Sequence, residues 1–154
     1  MEVGKDQLTA RTSADGMLLS IRMAPVLEIV GPLLDAISAF LSERPDIQRK
    51  LRLRVMLAAE EIVVNAVRHG ALAPEGPNIG ITVRCNPSGI KTRVVYQGKT
   101  FDPTNAVADP ARRFEMPGGH GLDLVRKIAD TFAYCRYGRW NVVALSHRPG
   151  RIRS

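Results

Sequence analysis

The stretch EEIVVNAVRHG, residues 60–70, decides the fold. It completes a run in which apolar residues recur every three or four positions, the period of an amphipathic α-helix. Asp46, after a proline, suits the start of this helix, and Gly70 suits its C-cap. The sequence therefore predicts one long helix between these two residues. Its apolar stripe consists of Leu51, Val55, Ala58, Ile62 and Ala66.

Two polar residues near the end of this helix lie on one edge of the stripe. At about 100° per residue, Glu61 and Asn65 are one turn apart on the same edge, whereas Glu60 points about 160° away from Ile62. Only Glu61 can therefore share a site with Asn65. A carboxylate beside an amide carbonyl supplies a proton acceptor and a hard oxygen ligand for Mg²⁺, as phosphoryl transfer requires. A solvated helix edge is the alternative for such a pair.

Two glycine-containing segments follow this helix. The first, GKTFDP at residues 98–103, comes directly after a predicted strand, and Gly98 would let the backbone approach a ligand closely. The second, PGGHGL at residues 117–122, opens a helix whose free N–H groups and positive dipole end would receive phosphates. Each segment taken alone also fits an ordinary turn.

The remaining segments predict an α+β fold, a two-layer sandwich with helices on one face of a mixed or antiparallel sheet. Residues 98–119 hold three prolines without periodicity, which predicts a functional lid. We divide the chain into a flexible N-terminal arm at 1–15, one domain at 16–148 and a basic tail at 149–154. The other predicted elements are a strand at 17–23, a helix at 26–41, a hairpin at 79–85 and 92–96, a helix near 119–129 and strands at 132–136 and 140–146.

Composition indicates a single cytoplasmic domain. The chain has 154 residues, 45% of them hydrophobic, which suffices for one core. No apolar run approaches the roughly 20 residues that span a bilayer, and the first residues lack a secretion-signal pattern. Cys85 and Cys135 have no metal-binding motif around them, so we expect buried, reduced thiols.

The net charge of +7 raises the question of a nucleic-acid surface. Arginine and lysine are spread along the chain, and only 5% of residues are aromatic. We therefore expect no direct nucleic-acid contact and favour an acidic protein partner or nucleotide phosphates. DNA binding through the basic surface stays an alternative hypothesis, and it predicts that binding weakens steeply with salt concentration.

In order and spacing, the EExxxN helix, the GKTFDP turn, the lid and the GGHGL helix start resemble the N, G1 and G2 boxes of the Bergerat-fold ATPases. This superfamily includes gyrase, heat-shock chaperone ATPases and histidine kinases. The small size and the GGHGLDLVRKIAD run, residues 118–130, look most like the anti-sigma factor serine kinases. The resemblance covers roughly residues 15–148 as one domain.

This resemblance implies ATP and Mg²⁺ as cofactors, with Glu61 as the general base and Asn65 as the Mg²⁺ ligand. It also implies a homodimer that binds a sigma factor and phosphorylates a serine on an anti-anti-sigma (STAS-type) partner, without membrane contact. The residues that it assigns to cofactor binding are Asn65, Tyr96, Gly98, Gly118, Gly119, His120, Gly121 and Leu122.

One position departs from the family pattern. The family's G1 box usually reads Asp-x-Gly, and its Asp accepts a hydrogen bond from the adenine amino group, but Tyr96 stands two residues before Gly98. Thr100 also replaces the usual second glycine. A phenol does not reproduce a charged acceptor, and losing such a pairing costs affinity and base selectivity. The alternative is a nucleotide-independent, kinase-dead binding protein for partner switching on the same fold.

Overall fold

A computed structural model describes residues 7–70, 78–105 and 121–150. Its six strands form one sheet in the order β1-β2-β3-β4-β6-β5, and every neighbouring pair is antiparallel. This confirms the predicted α+β class and settles the sheet as antiparallel. The strands are β1 (Leu8–Thr12), β2 (Leu18–Met23), β3 (Ile79–Asn86), β4 (Gly89–Gln97), β5 (Thr131–Tyr137) and β6 (Trp140–His147).

In the residues that the model describes, three α-helices pack against the sheet. They are α1 (Val30–Ser42), α2 (Arg49–Asn65) and α3 (Gly121–Ile128). The first packs on β1 and β2, the second on β4 and β6, and the third on β5. A 3₁₀ turn precedes α1, and a π-helical turn at Ala66–Gly70 follows α2. Within the described residues, no helix has the length and apolar content needed to cross a membrane.

The core lies between the helices and one face of the sheet. In β3, for example, alternate residues point inward, and Ile79, Ile81 and Val83 are fully buried. Residues Val55, Ile62 and Leu33 of the helices close the core from the other side. Because apolar residues alternate in the strands and follow helical spacing in the helices, the two layers bury one continuous surface.

Three predictions are corrected. Residues Leu8–Thr12, assigned to the flexible arm, form β1, which main-chain pairing with β2 holds although its side chains are mostly exposed. Helix α2 begins at Arg49, and its N-cap is Gln48 without a side-chain cap. Cys85 is buried as predicted, but Cys135 is exposed because it lies on the outward side of the edge strand β5.

Arg54 ties the end of α3 to α2. Its Nε and Nη2 donate to the Ile128 carbonyl at 2.9 and 2.7 Å, and Nη2 lies 3.3 Å from the Asp130 carboxylate. Nη1 also donates to the Arg148 carbonyl. The last residue of α3, Ile128, therefore lies beside the first half of α2. The first residue of α3, Gly121, lies against Glu61 near the end of α2, so the two helices run antiparallel. By holding the end of α3 against α2, the Arg54 contacts also fix the position of the start of α3 relative to α2.

His147 is buried without a hydrogen-bond partner. Its side chain is fully inaccessible, and neither ring nitrogen has a partner among the described residues. Burial lowers the pKa of His147 from 6.5 to about 4, Arg54 acts in the same direction, and Asp130 acts against it. The folded chain therefore holds this imidazole neutral at neutral pH.

We expect acid to destabilise the fold through His147. As pH falls below 6.5, His147 takes up a proton in the unfolded chain, whereas in the folded chain it does so only near pH 4. The free energy of unfolding therefore falls between these two pH values. Between pH 7 and pH 5 the wild type should lose about 2 kcal/mol more than a His147→Leu variant, which has no group to titrate there. Urea unfolding at both pH values measures the difference. Equal losses in the two proteins would contradict it.

Candidate nucleotide site

The site begins where α2 ends. Asn65 Nδ2 donates to the Glu61 carbonyl at 2.7 Å, one turn back along the helix. This bond orients the amide and leaves its Oδ1 as an acceptor. The π-helical turn Ala66–Gly70 follows directly. Such a turn widens the helix and is frequent at functional sites.

Glu61 lies against the first residue of α3. A Cβ atom placed on Gly121 would overlap the Glu61 carboxylate, so only glycine fits at this position with the carboxylate where it is. The start of α3 also carries backbone N–H groups that lack partners within the helix. The structure thus places Glu61 against Gly121, with Asn65 one turn further along α2.

The environment of Glu61 strengthens it as a proton acceptor. Its side chain is half-buried. Burial, and then the neighbouring Glu60 charge, raises the pKa of the Glu61 carboxyl, while Arg68 acts in the opposite direction. A carboxylate with a raised pKa is a better general base near neutral pH. Glu60 therefore acts on the site through its charge, although its side chain points elsewhere.

The start of the predicted lid is fixed in two places. Asp102 accepts hydrogen bonds from the Thr104 backbone N–H at 2.9 Å and from Asn105 Nδ2 at 3.0 Å, which closes a tight turn. Arg126 of α3 donates to the Pro103 and Thr104 carbonyls at 3.2 and 3.0 Å. The segment therefore packs on α3, and its contacts were not predicted from the sequence.

A stacked ring pair joins the GKTFDP segment to the end of α2. His69 and Phe101 have centroids 5.1 Å apart and planes inclined by 22°. This contact and the overlap between Glu61 and Gly121 bring all three predicted segments to the C-terminal end of α2. Gly98 lies at the start of the segment that reaches His69.

Tyr96 is the last inward-facing residue of β4. It is only 2% exposed and pairs in register with Asn141 of β6. Burial, and then the nearby Tyr134, raises the pKa of Tyr96 to about 12, while Arg136 acts against them. The phenol therefore stays protonated and neutral. It does not supply the charged acceptor that an adenine amino group would meet.

A polar cluster that the sequence did not predict surrounds the position paired with Tyr96. The Asn141 Oδ1 accepts from the Tyr134 hydroxyl at 2.6 Å and from Arg136 at 3.1 Å. Asn141 Nδ2 donates to the Lys99 carbonyl at 3.1 Å, and Arg136 donates to the Gly98 carbonyl at 2.9 Å. This cluster anchors the GKTFDP segment to β5 and β6. It places the Arg136 guanidinium next to Gly98.

The remaining predicted residues divide between two groups. Leu122 is half-buried and packs against the core. Gly118, Gly119 and His120 lie outside the described residues, as do residues 106–117 of the predicted lid. Their assignment to phosphate binding stays a prediction.

The oxygen atoms at the end of α2 fit a nucleotide-bound Mg²⁺, whereas Tyr96 on β4 does not fit the adenine contact that the resemblance implies. In the described ranges, no three His, Cys, Asp or Glu side chains lie together. A nucleotide Mg²⁺ needs only one or two protein oxygens besides phosphates and water, and Asn65 Oδ1 can supply one. Tyr96, which the resemblance assigns to the adenine end, is buried and neutral and does not provide a charged acceptor.

This antiparallel sheet, with a polar helix end facing a glycine-started helix, defines an α+β domain with a candidate nucleotide site. The chain belongs to the histidine kinase-like ATPase domain family, which matches residues 23–147. The expected superfamily is thereby confirmed.

One protein of similar sequence and two structures of similar fold accompany this family match. The chain is similar to the serine/threonine-protein kinase BtrW of Bordetella bronchiseptica, with 31% identity over 100 residues, 63% of this chain and 70% of that protein. It is similar in fold to the RsbU and RsbW domains of Rv1364c from Mycobacterium tuberculosis, with a TM-score of 0.64 at 16% identity over 89% of this chain. It spans only 34% of that chain. It also resembles the histidine kinase domain of the Erythrobacter litoralis EL346 blue-light activated histidine kinase, with a TM-score of 0.52, 14% identity and coverages of 79% and 59%.

Proposed function

We propose that the chain is an ATP- and Mg²⁺-dependent serine kinase that binds a sigma factor and phosphorylates a serine on a small anti-anti-sigma partner. The observation that carries this proposal is the position of Glu61 against Gly121, with Asn65 one turn along the same helix. The kinase name of BtrW supports the reaction type. A cytoplasmic location and a homodimer are part of the same proposal.

Each residue has a distinct role in this reaction. Glu61 accepts the proton of the attacking serine hydroxyl, and its raised pKa suits this task. Asn65 Oδ1 would hold the Mg²⁺, which neutralises phosphate charge when bound. The backbone N–H groups at Gly121 and Leu122 would receive phosphates, because they start α3. Arg126 holds the start of the lid on the same helix.

The direct test uses the purified chain, Mg²⁺, labelled ATP and a purified anti-anti-sigma protein from the same bacterium. The proposal expects label on a serine of that partner and not on the chain itself. Label transfer that persists without Mg²⁺, or no transfer to any of the bacterium's anti-anti-sigma proteins, would contradict it.

A nucleotide-independent binding protein is the second candidate, and Tyr96 favours it. The phenol, which the resemblance assigns to the base end, is buried and lies close to Arg136, and a guanidinium offers only hydrogen-bond donors to an adenine amino group that is itself a donor. In that case the family fold is kept for binding partners without phosphoryl transfer. The two candidates differ in whether ATP binds.

Replacing Tyr96 with aspartate distinguishes them. Aspartate is smaller and would carry a charge that the nearby Arg136 favours, so it should restore the acceptor for the adenine amino group. We expect ATP affinity to rise by roughly tenfold or more, the scale of one charge-assisted hydrogen bond. Calorimetric titration of folded variants measures the change.

Two controls accompany this variant. Tyr96→Phe keeps the bulk of the ring and should leave ATP affinity unchanged, and GTP should not gain from Tyr96→Asp because guanine presents a carbonyl at that position. Micromolar binding of ATP by the wild type, with no gain in Tyr96→Asp, would show that Tyr96 is not at the base end.

A further inference from the structure

The face of the sheet turned away from the helices carries five of the six arginine and lysine side chains of the strands. None of the six strands contains an aspartate or a glutamate. Five cationic residues on β1 to β4 point outward and are exposed. We call them the cationic sheet face: Arg11, Arg22, Arg84, Lys91 and Arg93.

The sheet register gathers these five residues although they are far apart in sequence. Arg84 and Lys91 pair directly across β3 and β4, and Arg93 pairs with Thr82 on the same side. Arg22 lies opposite Gly80, and Arg11 lies opposite Ser20. Four neighbouring strands spaced about 4.8 Å apart place the cations within a width of roughly 15 Å.

This arrangement is unfavourable for the isolated chain. Like charges directly opposite each other on a sheet destabilise it, as Arg84 and Lys91 do here. The neighbouring carboxylate in the described turn between β1 and β2 is Asp15, which accepts hydrogen bonds from the Ser13 hydroxyl and the Met17 backbone N–H and also interacts with Arg84, so it offsets part of one of the five charges. An anionic partner would relieve the repulsion, and the charge also argues against a second copy of the same face.

The other half of this face, called the apolar half, consists mostly of small apolar side chains, with the polar residues Gln97, Thr131 and Ser146 at its two ends. Val95, Val142 and Ala144 are half-buried, and Ala133 and Cys135 are exposed. In the register, Ala144 lies beside Arg93, so the apolar and cationic halves are continuous.

On this face of the described strands, aromatic side chains lie only where β5 ends and β6 begins, away from the cations. Trp140 and Tyr137, 39% and 78% exposed, pair with each other across β5 and β6. Single-stranded nucleic acids bind sheets whose aromatic side chains stand among the cations and stack on bases. Here the cations stand next to small apolar side chains. This surface is complementary to a protein surface that presents carboxylates beside an apolar patch.

We propose that the cationic sheet face and the adjacent apolar half bind an acidic protein surface. The helices and the site at the end of α2 lie on the opposite side of the sheet, so a partner bound here leaves Glu61 accessible. The inference goes beyond the proposed kinase activity and does not depend on it.

The test uses a labelled oligoglutamate peptide of about 20 residues and an oligothymidine of about 20 nucleotides as probes, read by fluorescence anisotropy. An Arg84→Glu, Arg93→Glu double variant should weaken peptide binding by about tenfold or more at low salt. The matched control is Arg49→Glu with Lys50→Glu, the same charge change at two exposed positions of α2, and it should change binding by less than about twofold. Bound peptide should also slow alkylation of Cys135, which lies on the bound face.

Three results would overturn the proposal. They are equal weakening by both double variants, unchanged alkylation of Cys135 by saturating peptide, and oligothymidine binding more than about tenfold tighter than the peptide, which would assign the face to nucleic acid. Should the charge-reversed protein not fold, Arg84→Gln with Arg93→Gln is compared with Arg49→Gln and Lys50→Gln in the same assay. Loss of kinase activity is a separate readout, because Glu61 is unchanged in all these variants.

Discussion

Replacing Glu61 with alanine is expected to lower phosphoryl transfer to the partner serine by at least about 100-fold, the usual contribution of a general base. ATP affinity should stay within about twofold, because the base acts on the hydroxyl and not on the nucleotide. Single-turnover transfer and nucleotide titration on the same preparation measure the two effects separately. Glu61 also lies against Gly121, so circular dichroism should accompany both measurements to show that α3 is retained.

Glu60→Ala is the matched control for this change. Glu60 raises the pKa of the Glu61 carboxyl through its charge, so removing it should lower that pKa. The acidic limb of the pH–rate profile should then move to lower pH, with little change in the maximal rate. Equal losses of activity in both variants, or none in either, would show that the helical phase assigned the wrong carboxylate.

Replacing Arg54 with methionine should reduce the free energy of unfolding by about 3 kcal/mol, because the buried Asp130 carboxylate and the Ile128 carbonyl lose a charged donor. Asp130 keeps one hydrogen bond, from the Arg148 backbone N–H at 2.6 Å, which limits the loss. Denaturant unfolding at neutral pH measures the change.

The control for Arg54 lies at the start of the same helix. Arg49→Met removes an exposed cation and should change stability by less than about 0.5 kcal/mol. A loss below about 1 kcal/mol in Arg54→Met would contradict the role assigned to its contacts, since buried charge-assisted bonds contribute more than this.

The fold was predictable where local sequence and burial agree. The alternation in β3 and the apolar stripe of α2 follow directly from side chains that the core buries, so both elements were located from the sequence. Strand β1 was missed because its side chains are mostly exposed and its main-chain pairing leaves no hydrophobic pattern. Cys135 was misplaced because a pattern of strand residues does not show which side of an edge strand is covered.

The candidate site was predictable on α2 and much less so elsewhere. Helical geometry alone placed Glu61 and Asn65 on one edge. The contacts of Arg54, Asn141 and Arg136 join segments that are distant in sequence, and no local pattern indicates them. The spread of cations along the chain was also misleading, because the sheet register brings Arg22, Arg84 and Arg93 onto one face.

The end of α2 and the position of Tyr96 differ in how well they fit a nucleotide. The end of α2 offers oxygens and a glycine-started helix, which suit Mg²⁺ and phosphates. The position that the family resemblance assigns to the base, at Tyr96, offers a neutral phenol and a nearby guanidinium. We therefore expect nucleotide affinity to come mainly from the phosphate end and to depend on the metal.

Calorimetric titration of the purified chain with ATP, with and without Mg²⁺, tests the central claim most directly. We predict weak binding, with a Kd above about 10 μM, that tightens with Mg²⁺ in the wild type and does not tighten in Asn65→Ala. An ATP affinity that is independent of Mg²⁺, or the same Mg²⁺ dependence in Asn65→Ala, would contradict a nucleotide site at the end of α2.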